Sequence, residues 1–143
     1  MAPPTSGTAS AAADARPVSG RDLRNLLGQL VRLDHVRGGL MVAPDGLVIA
    51  GQLPAEIPVE PLSALAATLG RELELRGPRL HRGAPLMAEF STADGSVFVG
   101  STPVGFIVLL GDARGSRDAL RHALRTAMDT IRRAWTPIGQ RPA

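Results

Sequence analysis

Leu23, Leu26, Leu27, Leu30, Val31 and Leu33 recur at spacings of three and four, so they fall on one face of a helix. Ser19 or Gly20 can open that helix, with Asp22 in its first turn. Gly38 and Gly39 end the periodicity, and the pattern changes. Leu40 to Ala43 and Leu47 to Ala50 are two apolar runs with almost no polar alternation, separated by Pro44-Asp45-Gly46. Proline presets φ, aspartate bonds its own backbone and glycine accepts positive φ, so the segment reads as a β-hairpin. Strands without a polar face are expected to have protein on both sides, and a sheet covered twice needs helices above and below it.

Prolines mark a loop over residues 52–58, after which a second helix is expected from Val59 or Glu60 to Arg76, stopped by Gly77-Pro78. Pro61 is tolerable in its first turn. Its expected buried face is Val59, Leu62, Leu65, Ala66, Leu69 and Leu73. Beside that face Ser63, Ala67 and Gly70 form a line of small residues at i, i+4 and i+7. Glycine within a helix costs about 1 kcal/mol relative to alanine, so Gly70 implies that something approaches closely.

Three further strands follow in meander order. Leu86 to Phe90 and Val97 to Val99 flank the turn Ala93-Asp94-Gly95, and Pro103 precedes the apolar run Val104 to Leu110. Pro85 is compatible with an unpaired strand, which makes Leu86 to Phe90 the expected sheet edge, with Glu89 as its guard. Ser116 then caps a last helix whose buried stripe is Leu120, Leu124, Ala127, Met128, Ile131 and Trp135. Thr136-Pro137 ends it. The order αββαβββα is that of an α+β fold. Residues 1–18, rich in Ala, Pro, Ser and Thr, cannot offset their ordering entropy by burial and are expected to be a disordered leader. Residues 19–135 form the domain, and residues 136–143 a flexible tail.

Composition narrows the function more than it defines it. The 143-residue chain has no cysteine, which excludes disulfides, thiolate metal sites and a cysteine nucleophile and is compatible with a reducing, cytoplasmic setting. All sixteen basic side chains are arginine, so a P-loop lysine and Schiff-base chemistry are excluded. The net charge is only +3 and aromatics are 3%, a poor match to a nucleic-acid surface. No apolar run approaches a membrane-spanning length. His35, His81 and His122 lie on three elements without metal-ligand spacing, Asp45 and Asp94 are explained by their Asp-Gly turns, and the glycine pairs lack the strand and helix of a phosphate cradle. No catalytic residue, metal site or cofactor site is assigned. Asp118, Arg121, His122, Arg125, Asp129 and Arg132 on the last helix interleave both signs, as on an ordinary solvated face.

The run Gly-Gly-Leu-Met-Val-Ala-Pro-Asp-Gly-Leu-Val-Ile-Ala directly after the first helix, followed by a Leu/Ala-rich second helix, resembles the roadblock/dynein light chain domain family. The similarity spans about Leu23 to Arg133, and its specific part is the hairpin at residues 38–50. The resemblance implies a five-stranded antiparallel sheet with the first and third helices on one face and the second on the other. It also implies a homodimer formed by the third strand edge to edge and by second helices packed together. That places Ser63, Ala67, Gly70, Leu86, Met87, Ala88 and Phe90 at the contact. Bacterial members of the family are typically regulators or scaffolds of Ras-like small GTPases and are not themselves enzymes. Thr68, Arg71, Glu72 and Leu75, on the exposed side of the second helix, are then the expected partner surface. The alternative is a non-catalytic dimeric adaptor in a signalling or motor assembly without effect on GTP hydrolysis.

Overall fold

Hydrogen bonding at Ser19 starts the first helix. In the computed structural model, which describes residues 18–84 and 86–135, the Asp22 N–H donates to Ser19 Oγ and the Ser19 N–H to Asp22 Oδ2, each at 3.1 Å. This reciprocal cap satisfies two orphan donors of helix α1, Gly20–Val31. The expected tail, Pro85 and all of the leader except Val18 lie outside the described residues. Val18 itself packs half-buried against the core.

The chain continues as β1 (Val36–Val42), β2 (Val48–Gln52), α2 (Val59–Arg76), a short 3-10 turn (Gly77–Leu80), β3 (Met87–Thr92), β4 (Gly95–Thr102), β5 (Gly105–Asp112) and α3 (Arg117–Trp135). The five strands form one antiparallel sheet in the order β2-β1-β5-β4-β3. Neighbouring residues of each strand point to opposite faces, and the core divides accordingly. Met41, Phe98, Ile107 and Leu109 pack under α1 and α3 with Leu27, Leu124, Met128 and Ile131. Leu40, Val42, Val99, Phe106 and Val108 pack on the other face against Ala66 and Ala67 of α2. The layering is therefore α1 and α3 on one side and α2 on the other, as expected.

Two tight turns with one chemistry close the meander. Ala93-Asp94 and Pro103-Val104 each follow a threonine whose hydroxyl donates to the carbonyl of the glycine three residues on, Gly95 and Gly105. Both glycines sit at positive φ, +144° and +139°, and a Cβ there would lie 1.9 Å from the Gly111 carbonyl oxygen or 2.1 Å from that of Val42. Only glycine fits these corners.

Two expectations are corrected here. β1 is covered on both faces, but β2 is not, because it is an outermost strand: Leu47 is 69% and Val48 45% exposed. The second correction concerns α2. Ser63, Ala66, Ala67 and Gly70 are its buried residues, and Leu65 is 50% exposed. The helix is thus turned so that its small residues meet the sheet. A Cβ on Gly70 would lie 2.4 to 2.6 Å from three ring atoms of Phe106, so the helix approaches the ring so closely that only hydrogen fits between them.

Candidate functional site

With small residues against the sheet, the leucines of α2 move to its flank. Leu62 and Leu69, like Val97 of β4, are half-buried and packed against the Phe106 cluster, and Leu65 stands further out, 50% exposed. Val97 pairs in register with Phe90 of β3, and Val99 with Ala88, so Phe90 and Ala88 occupy the same face of the sheet as α2. Phe90 is 36% exposed and Leu86 45%. Leu65, Leu69, Val97 and Phe90 therefore form an apolar margin along the side of the sheet that α2 does not cover. Beyond it β3 pairs only with β4, leaving its outer backbone groups unpaired by any described strand.

The other face of β3 is tied down. Glu89 lies opposite Phe98 on the α3 side and accepts two hydrogen bonds from Arg121, from Nε at 2.9 Å and from Nη2 at 3.0 Å. Hydrogen bonds to Glu89, and then to Asp118, raise the Arg121 pKa above its ordinary value. Arg117 bonds Ser91 as well. Met87, expected at a contact with a second copy, packs instead against the α1/α3 core, opposite Gly100, whose missing side chain makes room for Met128. The α3 side of the edge is thus engaged by its own chain at Met87, Glu89 and Ser91, which leaves its α2-side residues uncovered.

The expected contact residues separate into two groups. Leu86, Ala88 and Phe90 lie on the open margin. Ser63, Ala67 and Gly70 do not: each is buried against the protomer's own sheet, where a second copy cannot reach it. The small size signals close approach, as the sequence implied, but at Gly70 the neighbour is Phe106 at a separation of 36 residues, and nothing local to α2 distinguishes that ring from a partner. Of the residues expected to bind a partner, Thr68, Arg71, Glu72 and Leu75 are all exposed on α2. Arg71 Nη1 donates to the Pro44 carbonyl at 2.6 Å, which fastens the helix to the β1–β2 turn, and Glu72 pairs with Arg76 one turn on. Thr68 and Leu75, the latter 64% exposed, complete an outward face of the helix.

Sequence reading missed one polar cluster. His35, at φ +68°, ends the turn after α1, and its Nδ1 lies 3.2 Å from both carboxylate oxygens of Asp112 at the end of β5. Asp112 Oδ1 also accepts the N–H groups of Arg114 and Gly115. Burial raises the carboxyl's pKa, but the bonds from Arg114, His35 and Gly115 and the attraction of His35 outweigh it, leaving the pKa below its ordinary value. A folded-state pKa below the unfolded one means that the unfolded chain binds protons first on acidification. The resulting stability is present above the ordinary carboxylate value of about 3.9 and is lost as pH falls through the folded value. Asp112→Asn is therefore expected to flatten the fall of urea midpoint below about pH 4. A variant as acid-sensitive as the parent would place that dependence on other carboxylates. The three histidines are not brought together: His81 and His122 are exposed on other elements.

No family model matches the chain. A curated relative, an uncharacterized protein of Methanocaldococcus jannaschii, is 28% identical over 107 residues, covering 75% of this chain and 91% of the relative. Among solved structures, Myxococcus xanthus MglB superposes with a TM-score of 0.71 at 15% identity, over 79% of this chain and 86% of MglB. A roadblock/LC7 domain from Streptomyces avermitilis gives 0.66 at 19% identity, over 76% and 93%. The chain has the roadblock/LC7 fold. An MglB described as having a tetrameric arrangement also superposes, with a TM-score of 0.67 at 16% identity over 77% of this chain and 85% of that one. Within this roadblock/LC7 fold the open margin of β3 and the outward face of α2 are two surfaces left uncovered among the described residues, and no described helix is long and apolar enough to cross a membrane.

Proposed function

We propose that this roadblock/LC7 protein is a homodimeric, non-enzymatic regulator or scaffold of a Ras-like small GTPase. The observation that carries the reading is the unpaired β3 edge with an apolar margin beside it, because main-chain groups and side chains there are offered together. In the proposed dimer β3 strands pair edge to edge, and the α2 flanks meet through Leu65 and Leu69. That arrangement keeps the small residues of α2 on their own sheet and sets the two outward α2 faces side by side. The likeness to MglB structures, one with a tetrameric arrangement, supports assembly through this fold.

The GTPase contact is assigned to Thr68, Arg71, Glu72 and Leu75. Regulation there works through differential affinity: a surface that binds hydrolysis-competent conformations more tightly raises their population. Leu75 is the residue whose substitution separates binding from folding, since it is exposed and makes no core contact. Purified protein added to the Ras-like GTPase of the same cell should change its nucleotide hydrolysis rate, and Leu75→Glu should weaken the effect at least tenfold without moving the thermal midpoint. Absence of both binding and rate change with the parent protein refutes the GTPase assignment.

A further inference from the structure

We propose that the opposite edge of the sheet, β2, is a second docking site, which accepts an extended partner segment with alternating apolar and acidic side chains by strand addition. β2 pairs only with β1, and its sequence Val-Ile-Ala-Gly-Gln carries no charge and no proline, two of the devices that keep an edge from pairing; its one irregularity is a bulge at Ile49, which leaves Val48, Ala50, Gly51 and Gln52 paired with β1. Glu89 and its ion pair occupy one face of β3, whereas no residue of β2 is charged.

The two faces beside this edge differ in chemistry. On the α2 side an open groove of about 540 Å³ is lined by Val48, Leu53, Pro54, Ile57 and Val59 among others, all of them apolar or glycine. Val48 pairs with Val42 of the α2-side core, which fixes the groove on that face. On the other face α1 covers β1 and β2, and its row Arg24, Gly28, Arg32 at i, i+4 and i+8 runs along the β2 side of the helix. The position of Gly28 establishes this: a Cβ there would stand 3.6 Å from both Arg32 Nη2 and the Gln52 side-chain amide of β2. Neither Arg24 nor Arg32 forms an ion pair among the described residues.

A strand added beside β2 presents successive side chains to opposite faces. One set would lie over the apolar groove and the other beneath two unpaired guanidinium groups, so apolar and acidic residues in alternation satisfy both. This site is independent of the dimer reading, since it lies at the far end of the sheet from β3.

The test uses the full chain and a fluorescein-labelled seven-residue peptide of alternating valine and glutamate, followed by anisotropy and by amide chemical shifts. Saturable, salt-sensitive binding is expected, with shifts along β2. Val48→Lys, which puts a charge in the groove, and the double variant Arg24→Glu/Arg32→Glu should each weaken binding at least tenfold while thermal midpoints stay in place. A valine/lysine peptide and a version with proline at its centre should fail to bind. Binding of the proline peptide with equal affinity would overturn strand addition, and indifference to the arginine reversal would overturn the acidic partner. No binding of the valine/glutamate peptide at low salt, shifts on β3 instead of β2, or self-association that Val48→Lys abolishes in the absence of peptide binding would each overturn the proposal.

Discussion

Gly70→Leu should collapse the stability of the protomer and leave no folded species whose dimer affinity could be measured. A side chain at this position enters the space of the Phe106 ring, which is 2% exposed and wedged between α2 and the sheet, so it has no solvent-facing direction in which to yield. Overpacking a tight core costs about 1–3 kcal/mol for modest insertions, and a leucine against an immobile ring belongs at or above the top of that range. Measured against a typical total of about 5–15 kcal/mol, that is a large fraction. Gly70→Ala sets two effects against each other, a helix-propensity gain of about 1 kcal/mol and the clash of one methyl with the ring. The clash is expected to win. Phe106→Leu should recover part of the loss in the Gly70→Ala background, so the double variant is more stable than the sum of the single effects predicts. Urea unfolding of the four proteins checks this. A Gly70→Leu protein that keeps its unfolding midpoint and only dissociates would show that the small face of α2 meets a second copy after all.

Leu65→Arg combined with Phe90→Arg should give a folded monomer. Both side chains are substantially exposed in the protomer, so neither substitution removes core packing. In the proposed dimer each would bury a guanidinium without a partner, and breaking central apolar anchors of an interface commonly costs about 2–4 kcal/mol. A loss of that size weakens the dimer by roughly 30- to 1,000-fold, since each 1.4 kcal/mol is a factor of ten. Sedimentation velocity at micromolar concentration should therefore move from dimer to monomer, with an unchanged thermal midpoint of the protomer unless assembly itself contributes to it. Thr68→Glu, on the outward face, should leave the assembly intact. A dimer that survives both arginines would place the contact away from β3 and the α2 flank.

The residues expected at the contact illustrate how far the sequence could be followed. Leu86, Ala88 and Phe90 were legible as edge residues because Pro85, just before them, is tolerated where a strand lacks a partner on one side. Gly70 was legible as a place of close approach. Its partner was not, because helical periodicity separates a small stripe from a leucine stripe without saying which one faces inward. Hydrophobicity favoured the leucines, and the bulk of Phe106 decided for the small residues. Met87 likewise reads as an edge residue in sequence, yet the pleat directs it toward the α1/α3 core at Gly100. His35 and Asp112, which are 77 positions apart, meet because β1 and β5 are neighbours, a pairing that no local pattern announces.

What the chain by itself determined is therefore local: the capped start of α1, the Pro-Asp-Gly and Ala-Asp-Gly turns, the apolar strand runs and the element order, all governed by φ preferences and near-neighbour hydrogen bonds. Tertiary structure alone decided which side of α2 is interior, which strands end the sheet bare, and which distant ionic groups find one another. These depend on the shapes of surfaces brought together from separate segments, and close packing around one aromatic ring outweighs the hydrophobic pattern of the helix above it.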